Sequence, residues 1–193
     1  MTDISSIQQK WDNHYSDAEL GAPSKILMEN AHLLPQLGEA LEIACGMGAN
    51  AVFMARHGLH AHAWDISKVA IDKLQTYAFD EKLALIAQIR DVTQDPPAEK
   101  SFDVIVVSHY LERSLIPSLI KALNPGGLLV YQTFSKSNVD GTGPRNSAFR
   151  LGDNEMLGLC SDLRLVVYRE EQAIGDVSQG NRNLVYYIGQ RRA

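Results

Sequence analysis

The chain is poor in cysteine: only Cys45 and Cys160 occur in 193 residues, far apart and without C-x-x-C or metal-ligand spacing. That excludes a disulfide framework and fits a reducing compartment. Long apolar runs are missing as well. The longest, such as 104–107, hold four or five residues, against the ~18 that a membrane span needs. The opening MTDISSIQQKW carries no apolar stretch of a secretory leader, so a cytoplasmic protein with no membrane partner is the expectation. Basic residues are in deficit, 18 Lys and Arg against 23 Asp and Glu, and the net charge of -5 offers no general attraction to a phosphate backbone. No nucleic-acid partner is expected. Repeats and low-complexity tracts are also absent. What is there is 45% hydrophobic and 21% charged, an ordinary globular composition at a length that suits one domain.

From residue 37 onward, short apolar runs alternate with segments of helical period, the pattern of parallel strands joined by crossover helices. Residues 40–45 read as a strand ending at Gly46-Met47-Gly48, followed by a helix over 51–57 closed by Gly58. A second unit follows, with a strand over 60–65, Ser67 as N-cap, and Ala70, Ile71, Leu74 and Ala78 at helical spacing. A third strand covers 84–89, ahead of the turn at Asp95-Pro96-Pro97. The fourth, 102–107, is apolar on both faces, as a central parallel strand must be. A helix over 115–123, with Pro117 in its first turn, stops at Asn124-Pro125-Gly126-Gly127 before a fifth strand over 128–134. Residues 135–152 are irregular and too long for an ordinary connection, which marks a loop that serves a site. A short helix near 153–159 leads to strands over 163–170 and 184–189; joined by a turn without a helix, these two should be antiparallel. In the first 36 residues, Trp11, Tyr15, Leu20, Ile26, Leu27 and Leu33 read as helical pieces of an amphipathic lid. The expectation is one domain over 1–193, made of a lid (1–36) and an α/β core (37–193).

Glu42-x-x-x-Gly46-x-Gly48 lies where a strand meets a helix, and there glycines admit a ligand close to the backbone while helix N–H groups face it. The same stretch spells G-x-G-x-x-A from Gly46 to Ala51, with Asp65 19 residues beyond Gly46. A nicotinamide dinucleotide site, and hence an NAD(P)-dependent oxidoreductase, is therefore an open alternative, as is a bare strand-to-helix turn. Asp65, ending the second strand, is placed either to accept from both hydroxyls of a ribose or to cap the next helix. Asp91, just past the third strand, is placed to accept from an exocyclic adenine amine. After the fourth strand, Ser108-His109-Tyr110-Leu111-Glu112-Arg113 gathers polar and aromatic groups at the carboxyl edge of the sheet, where open α/β folds bind ligands. His109 is the candidate base or orienting group. His57, His60 and His62 raise a metal reading, but no carboxylate or cysteine completes the set, so no metal is expected. Cys45, with no histidine placed to activate it, is not expected to be a nucleophile.

LEIACGMGANA, the acid at Asp65, FDVIVV and NPGGLLVYQTF, in that order, resemble the class I S-adenosylmethionine-dependent methyltransferases over nearly the whole chain. More narrowly, WDNHY, HYLERSLIPSLIKALNPGG and GPRNSAFRL are similar to the small methyltransferases of the tellurite-resistance TehB type. The resemblance implies a Rossmann-like three-layer α/β sandwich with a mostly parallel seven-stranded sheet, order 3-2-1-4-5-7-6 and last strand antiparallel. It implies S-adenosyl-L-methionine as cofactor. Glu42, Ala44, Gly46 and Gly48 would form its first motif, with the two glycines beside the methionine part. Asp65 would hold the ribose, Ile66 would pack on the adenine, Asp91 and Val92 would border its amine edge, and Ser108 would face the reaction centre. The partner it implies is a small-molecule methyl acceptor such as a thiol, an oxyanion or a chalcogen compound. Tyr15, His109, Tyr110, Arg113 and Arg145 would surround that acceptor, with His109, Tyr110 and Arg145 as the catalytic candidates. Two positions depart from the pattern: Ala44 stands where many members have glycine, and His14 where TehB-type relatives tend to carry arginine. A methyltransferase-like protein that holds cofactor without turnover is the alternative within the same fold.

Overall fold

A computed structural model describes residues 4–192. Helix α1 (Ile4–Tyr15) and the short α2 (Lys25–Glu29) precede strand β1 (Glu39–Ile43). Then come α3 (Ala49–Arg56), β2 (His60–Asp65), α4 (Lys68–Asp80), β3 (Leu85–Ile89), β4 (Phe102–Ser108), α5 (Ile116–Ala122) and β5 (Leu123–Phe134). The chain continues through α6 (Glu155–Leu159), β6 (Leu163–Arg169) and β7 (Leu184–Arg191). The strands form one sheet in the order β3-β2-β1-β4-β5-β7-β6, which is the expected topology. β1 to β5 pair in parallel, whereas β7 runs antiparallel to both of its neighbours. The reversal follows from the connection: no helix lies between β6 and β7 to carry the chain back along the sheet, so the second strand returns beside the first.

Burial follows the two-residue alternation of the strands. On β4, Val104 and Val106 pack with Ile26, Leu27, Ala40 and Met54, while Ile105 and Val107 pack on the other face with Leu41, Ile43, Ile116 and Leu119. All four β4 side chains are buried, so the strand has no solvent face and its run of β-branched residues is accounted for. Ala61, Ala63 and Ala87 on β2 and β3 are small enough for α3 and α4 to lie close, through Ala51, Val52, Ile71 and Leu74. Helices thus cover both faces of the sheet in three layers.

Some expected boundaries move for local reasons. Helix α3 starts at Ala49 rather than 51, because Gly48 takes the left-handed φ of 76° that ends the turn at the helix N-cap. β5 opens at Leu123, which pairs with Phe102, and the next pairing is Leu128 with Val104. The segment Asn124-Pro125-Gly126-Gly127 is therefore an irregularity within the strand, where proline and glycine are tolerated, rather than a loop before it. The expected lid also divides. Ile26 and Leu27 of α2 are fully buried in the core, whereas α1 buries no residue and packs against α4.

Candidate functional site

The turn between β1 and α3 is built from three left-handed residues, Ala44, Gly46 and Gly48, at φ values of 50°, 51° and 76°. For an alanine that conformation costs about 1–2 kcal/mol. Ala44→Gly is expected to stabilise the protein by about 0.5–1 kcal/mol, once the extra freedom glycine gives the unfolded chain is subtracted. Denaturant melts check this, and an equal or lower midpoint would show that the turn holds Ala44 without strain. Gly46 and Gly48 face different neighbours. A Cβ at Gly46 would come within 2.6 Å of Tyr15 Oη, and one at Gly48 within 2.3 Å of Leu74 Cδ2. Gly46 therefore lies directly beneath the Tyr15 phenol, while Gly48 makes room for the Leu74 side chain of α4, a role not visible in the motif.

Two buried acids hold the turn. Glu42 Oε1 accepts from Asn50 Nδ2 at 2.6 Å and Oε2 from Ala51 N at 2.8 Å, so this carboxyl ties β1 to the first turn of α3. Burial pushes its pKa up to about 8, against the pull of those two donors. Asp65 Oδ2 accepts from Gly46 N and Oδ1 from Ser67 N, both at 2.8 Å. The helix-capping role falls to Ser67, whose Oγ accepts from Ala70 N at 3.2 Å. Asp65 instead bridges the ends of β1 and β2. Burial raises its pKa as well, partly offset by the hydrogen bonds from Ser67 and Gly46. Between the two acids, burial pushes the Cys45 thiol well up, consistent with an inert side chain.

Helix α1 is fastened over this turn at two points. Asp12 Oδ1 accepts from Ser67 Oγ at 2.7 Å and from Val69 N at 3.1 Å, at the start of α4. Lys73 Nζ donates to the carbonyls of Tyr15, Ser16 and Ala18 at 2.9, 2.6 and 3.1 Å, where α1 ends. Between these, Tyr15 stacks on Trp11 with ring centroids 5.9 Å apart, and its phenol is pushed far up in pKa by burial and then by the charges of Asp65, Cys45 and Glu42. His14 is exposed, with its ring edge on both Trp11 and Tyr15. Sequence reasoning named Tyr15 but missed Asp12 and Lys73, which look like ordinary surface charges.

At the carboxyl ends of β4 and β5 the structure brings together Ser108, His109 and Tyr110. His109 takes a left-handed φ of 57°, an outlier of the kind that gathers at sites. Ile26 N donates to Gln132 Oε1 at 3.3 Å and so fixes the amide, whose Nε2 then donates to His109 Nε2 at 3.3 Å. That assigns the imidazole proton to Nδ1, 3.1 Å from Ser108 Oγ. Desolvation lowers the His109 pKa, which keeps the ring neutral. Burial pushes the Tyr110 phenol up to about 12. Gln132 was missed from sequence, although a glutamine in the apolar run LLVYQTF, 3% exposed, was the available signal. On the β2 and β3 side, Ile66 is half-buried and Val92 lies in the core. Asp91 Oδ1 accepts from Thr93 N and Oγ1 at 3.0 and 2.7 Å, an Asx turn that leaves Oδ2 uncommitted among the described residues.

The loop over 135–152 is held from within. Arg150, 4% exposed, donates to the carbonyls of Ser135 and Pro144 at 2.9 and 2.8 Å and to that of Thr142. Arg113, a candidate for the acceptor's surroundings, pairs with both oxygens of Glu155 at 2.5 and 3.1 Å and donates to the carbonyls of Ala148 and Arg150. It is a brace between this loop and α6. Arg145 is exposed and has no hydrogen bond or ion pair among the described residues.

Comparison with known proteins is consistent with this geometry. A family model described as a methyltransferase domain matches residues 40–127. The chain is 25% identical over 153 residues to the probable S-adenosyl-L-methionine-dependent methyltransferase TehB of Haemophilus influenzae, covering 75% of this chain and 52% of that protein. It is 26% identical over 102 residues to the ubiquinone biosynthesis O-methyltransferase of Coxiella burnetii, covering 50% of this chain and 44% of that one. The chain thus spans about half the length of these curated relatives. In fold it is similar to crystalline TehB from Haemophilus influenzae, with a TM-score of 0.74 at 19% identity over 94% of this chain and 67% of that chain. It is similar too to geranyl diphosphate C-methyltransferase of Streptomyces coelicolor, with a TM-score of 0.71 at 15% identity over 99% of each chain.

Proposed function

We propose that the chain is a class I S-adenosylmethionine-dependent methyltransferase, a reading supported by its match to a methyltransferase domain and its similarity to TehB, and that it transfers the cofactor's methyl group to a small-molecule acceptor. The observation that carries this reading is the Asp65 carboxylate. Each of its oxygens accepts one backbone N–H, from Gly46 or Ser67, so each retains acceptor capacity for a ribose hydroxyl beside the glycine turn. The residues fit the cofactor in a second respect: a Cβ at Gly46 would block the close approach to the backbone that opens there once the Tyr15 phenol moves aside. A protein of the same fold, geranyl diphosphate C-methyltransferase, was solved with S-adenosyl-L-homocysteine.

On this reading Gly46 borders the methionine part and Asp65 holds the ribose. Ile66 lies against the adenine, and Asp91, through its uncommitted Oδ2, takes the exocyclic amine next to Val92. Glu42, Ala44 and Gly48 act through the turn, by shaping it. The Tyr15 phenol lies on Gly46, so loading lifts α1 from Gly46 and loosens the contacts that Lys73 and Asp12 make. When bound, the cofactor supplies a methyl group already made electrophilic by its sulfonium. The chain's own task is alignment and exclusion of water. Neutral His109, held by Gln132 and Ser108, lines the acceptor side with Tyr110 and is placed to orient an acceptor or take its proton. A thiol, an oxyanion or a soft chalcogen compound needs little base, which suits a site without an obvious dyad.

Parallel calorimetry with S-adenosylhomocysteine and NADH tests the cofactor. Binding of the former alone is expected, and binding of NADH alone overturns the reading in favour of an oxidoreductase. Turnover with a panel of thiols, selenite and tellurite then separates an enzyme from a protein that only holds cofactor.

A further inference from the structure

We infer that Glu39, His60 and His62 form a binding site for a divalent transition metal at the amino edge of the sheet. The three residues open two neighbouring parallel strands. Glu39 is the first residue of β1 and the register partner of His60, the first residue of β2, and His62 shares the face of His60 two positions on. Glu39 Oε2 lies 2.8 Å from His62 Nε2 and Oε1 lies 3.4 Å from His60 Nδ1. One donor atom from each residue falls within 4.8 Å of the other two, close enough for small side-chain rotations to bring all three onto a single ion.

The donors are held by rigid elements. Glu39 N donates to Asp103 Oδ2 at 2.9 Å, His60 N donates to the Gly38 carbonyl at 2.9 Å, and the His62 ring packs edge-on against the buried Phe102 at 5.4 Å. Little backbone ordering is left to accompany binding. Two imidazoles and one carboxylate are a donor set for borderline ions such as Zn(II), Ni(II) or Cu(II), and for hard Mg(II) or Ca(II) they are a poor one. The side chains of His60, Glu39 and His62 are 55%, 45% and 22% exposed, which gives an ion an entry path and leaves coordination positions to water. In the sequence His57 groups with this pair, and no carboxylate or cysteine stands out to complete the set. His57 in fact turns away, with its ring 4.1 Å from that of Phe53 and Nδ1 2.9 Å from the Phe53 carbonyl. Glu39, 21 residues before His60, completes the set through strand pairing.

The site is about 15 Å from the glycine turn, since β1 runs five residues from Glu39 to Ile43 at about 3.3 Å each. A metal there ties β1 to β2 and takes no part in methyl transfer, so the inference does not depend on the proposed function. The test titrates untagged, metal-stripped protein with ZnCl2 by calorimetry and follows Co(II) substitution by its visible absorption. One equivalent should bind the wild type, and Glu39→Gln and His60→Ala should each weaken it about tenfold or more. Zinc should also raise the melting temperature of the wild type, and at the same concentration raise that of either variant by less. His62→Ala is the third variant, read by affinity because its ring also packs on Phe102. Absence of binding, or binding equally tight in wild type, Glu39→Gln and His60→Ala, would overturn the site. S-adenosylhomocysteine affinity, measured on the same samples, should be the same in all of them.

Discussion

Asp65→Asn should weaken S-adenosylhomocysteine binding by roughly 10- to 150-fold, the equivalent of about 1.5–3 kcal/mol for hydrogen bonds to a charged partner. The variant keeps the side chain's size and removes its charge, so the lost affinity reports the hydroxyl contacts rather than a hole. It also carries a structural cost. Both carboxylate oxygens accept a backbone N–H, from Gly46 and Ser67, so the new amide NH2 must oppose one of these donors. A melt without ligand measures that cost, and calorimetry measures the binding loss separately. The raised pKa of Asp65 adds a signature. Ribose hydroxyls donate, so the ionised carboxylate is the binding form, and wild-type affinity should fall as the pH drops through the raised pKa. Asp65→Asn has no such proton to bind, and its profile should be flat over the same range. Wild-type affinity in the variant, with the acid limb intact, would return Asp65 to a purely structural bridge between β1 and β2.

What the sequence revealed depended on how local the cause was. Val104 to Val107 could only be a central strand, because residues on both faces were apolar, and the glycine turn and Asp65 stand at fixed offsets from strand ends. The apolar residues of the N-terminal segment offered no such constraint. Trp11 is 36% exposed while Ile26 and Leu27 are at most 1% exposed, and short helical pieces with equal apolar content do not show which one meets the sheet. Side-chain partners far apart in the chain were invisible for the same reason. Leu74 against Gly48, Glu39 beside His62, and Glu155 on Arg113 are each set by packing or register. Arg113 and Arg145 look alike in sequence; a carboxylate 42 residues downstream of Arg113 decides which of them is committed.

That difference sharpens the expectation for Arg145→Ala, a fall in kcat/KM of about tenfold or more for an anionic acceptor with cofactor affinity nearly constant. An arginine in such a loop can also serve to pin it, but here other residues do that. Arg150 holds the Ser135, Thr142 and Pro144 carbonyls, and Asn183 accepts from Val139 N at 2.8 Å and donates to Thr142 Oγ1 at 2.9 Å. Arg113 braces the far end through Ala148 and Glu155. The loop also touches the candidate site directly: a Cβ at Gly143 would meet the Phe134 ring within 2.4 Å, and that ring lies 5.1 Å from His109. Among the described residues Arg145 is thus a cation without an ion pair, on an anchored loop that reaches the side proposed for the acceptor. Truncating it should leave the loop's protease resistance and the melting temperature unchanged while removing attraction for negative charge. Activity towards neutral acceptors should be close to wild type. An equal loss for neutral and anionic acceptors, together with faster proteolysis within 135–152, would mean that Arg145 supports the loop, and its role in acceptor selection would be withdrawn.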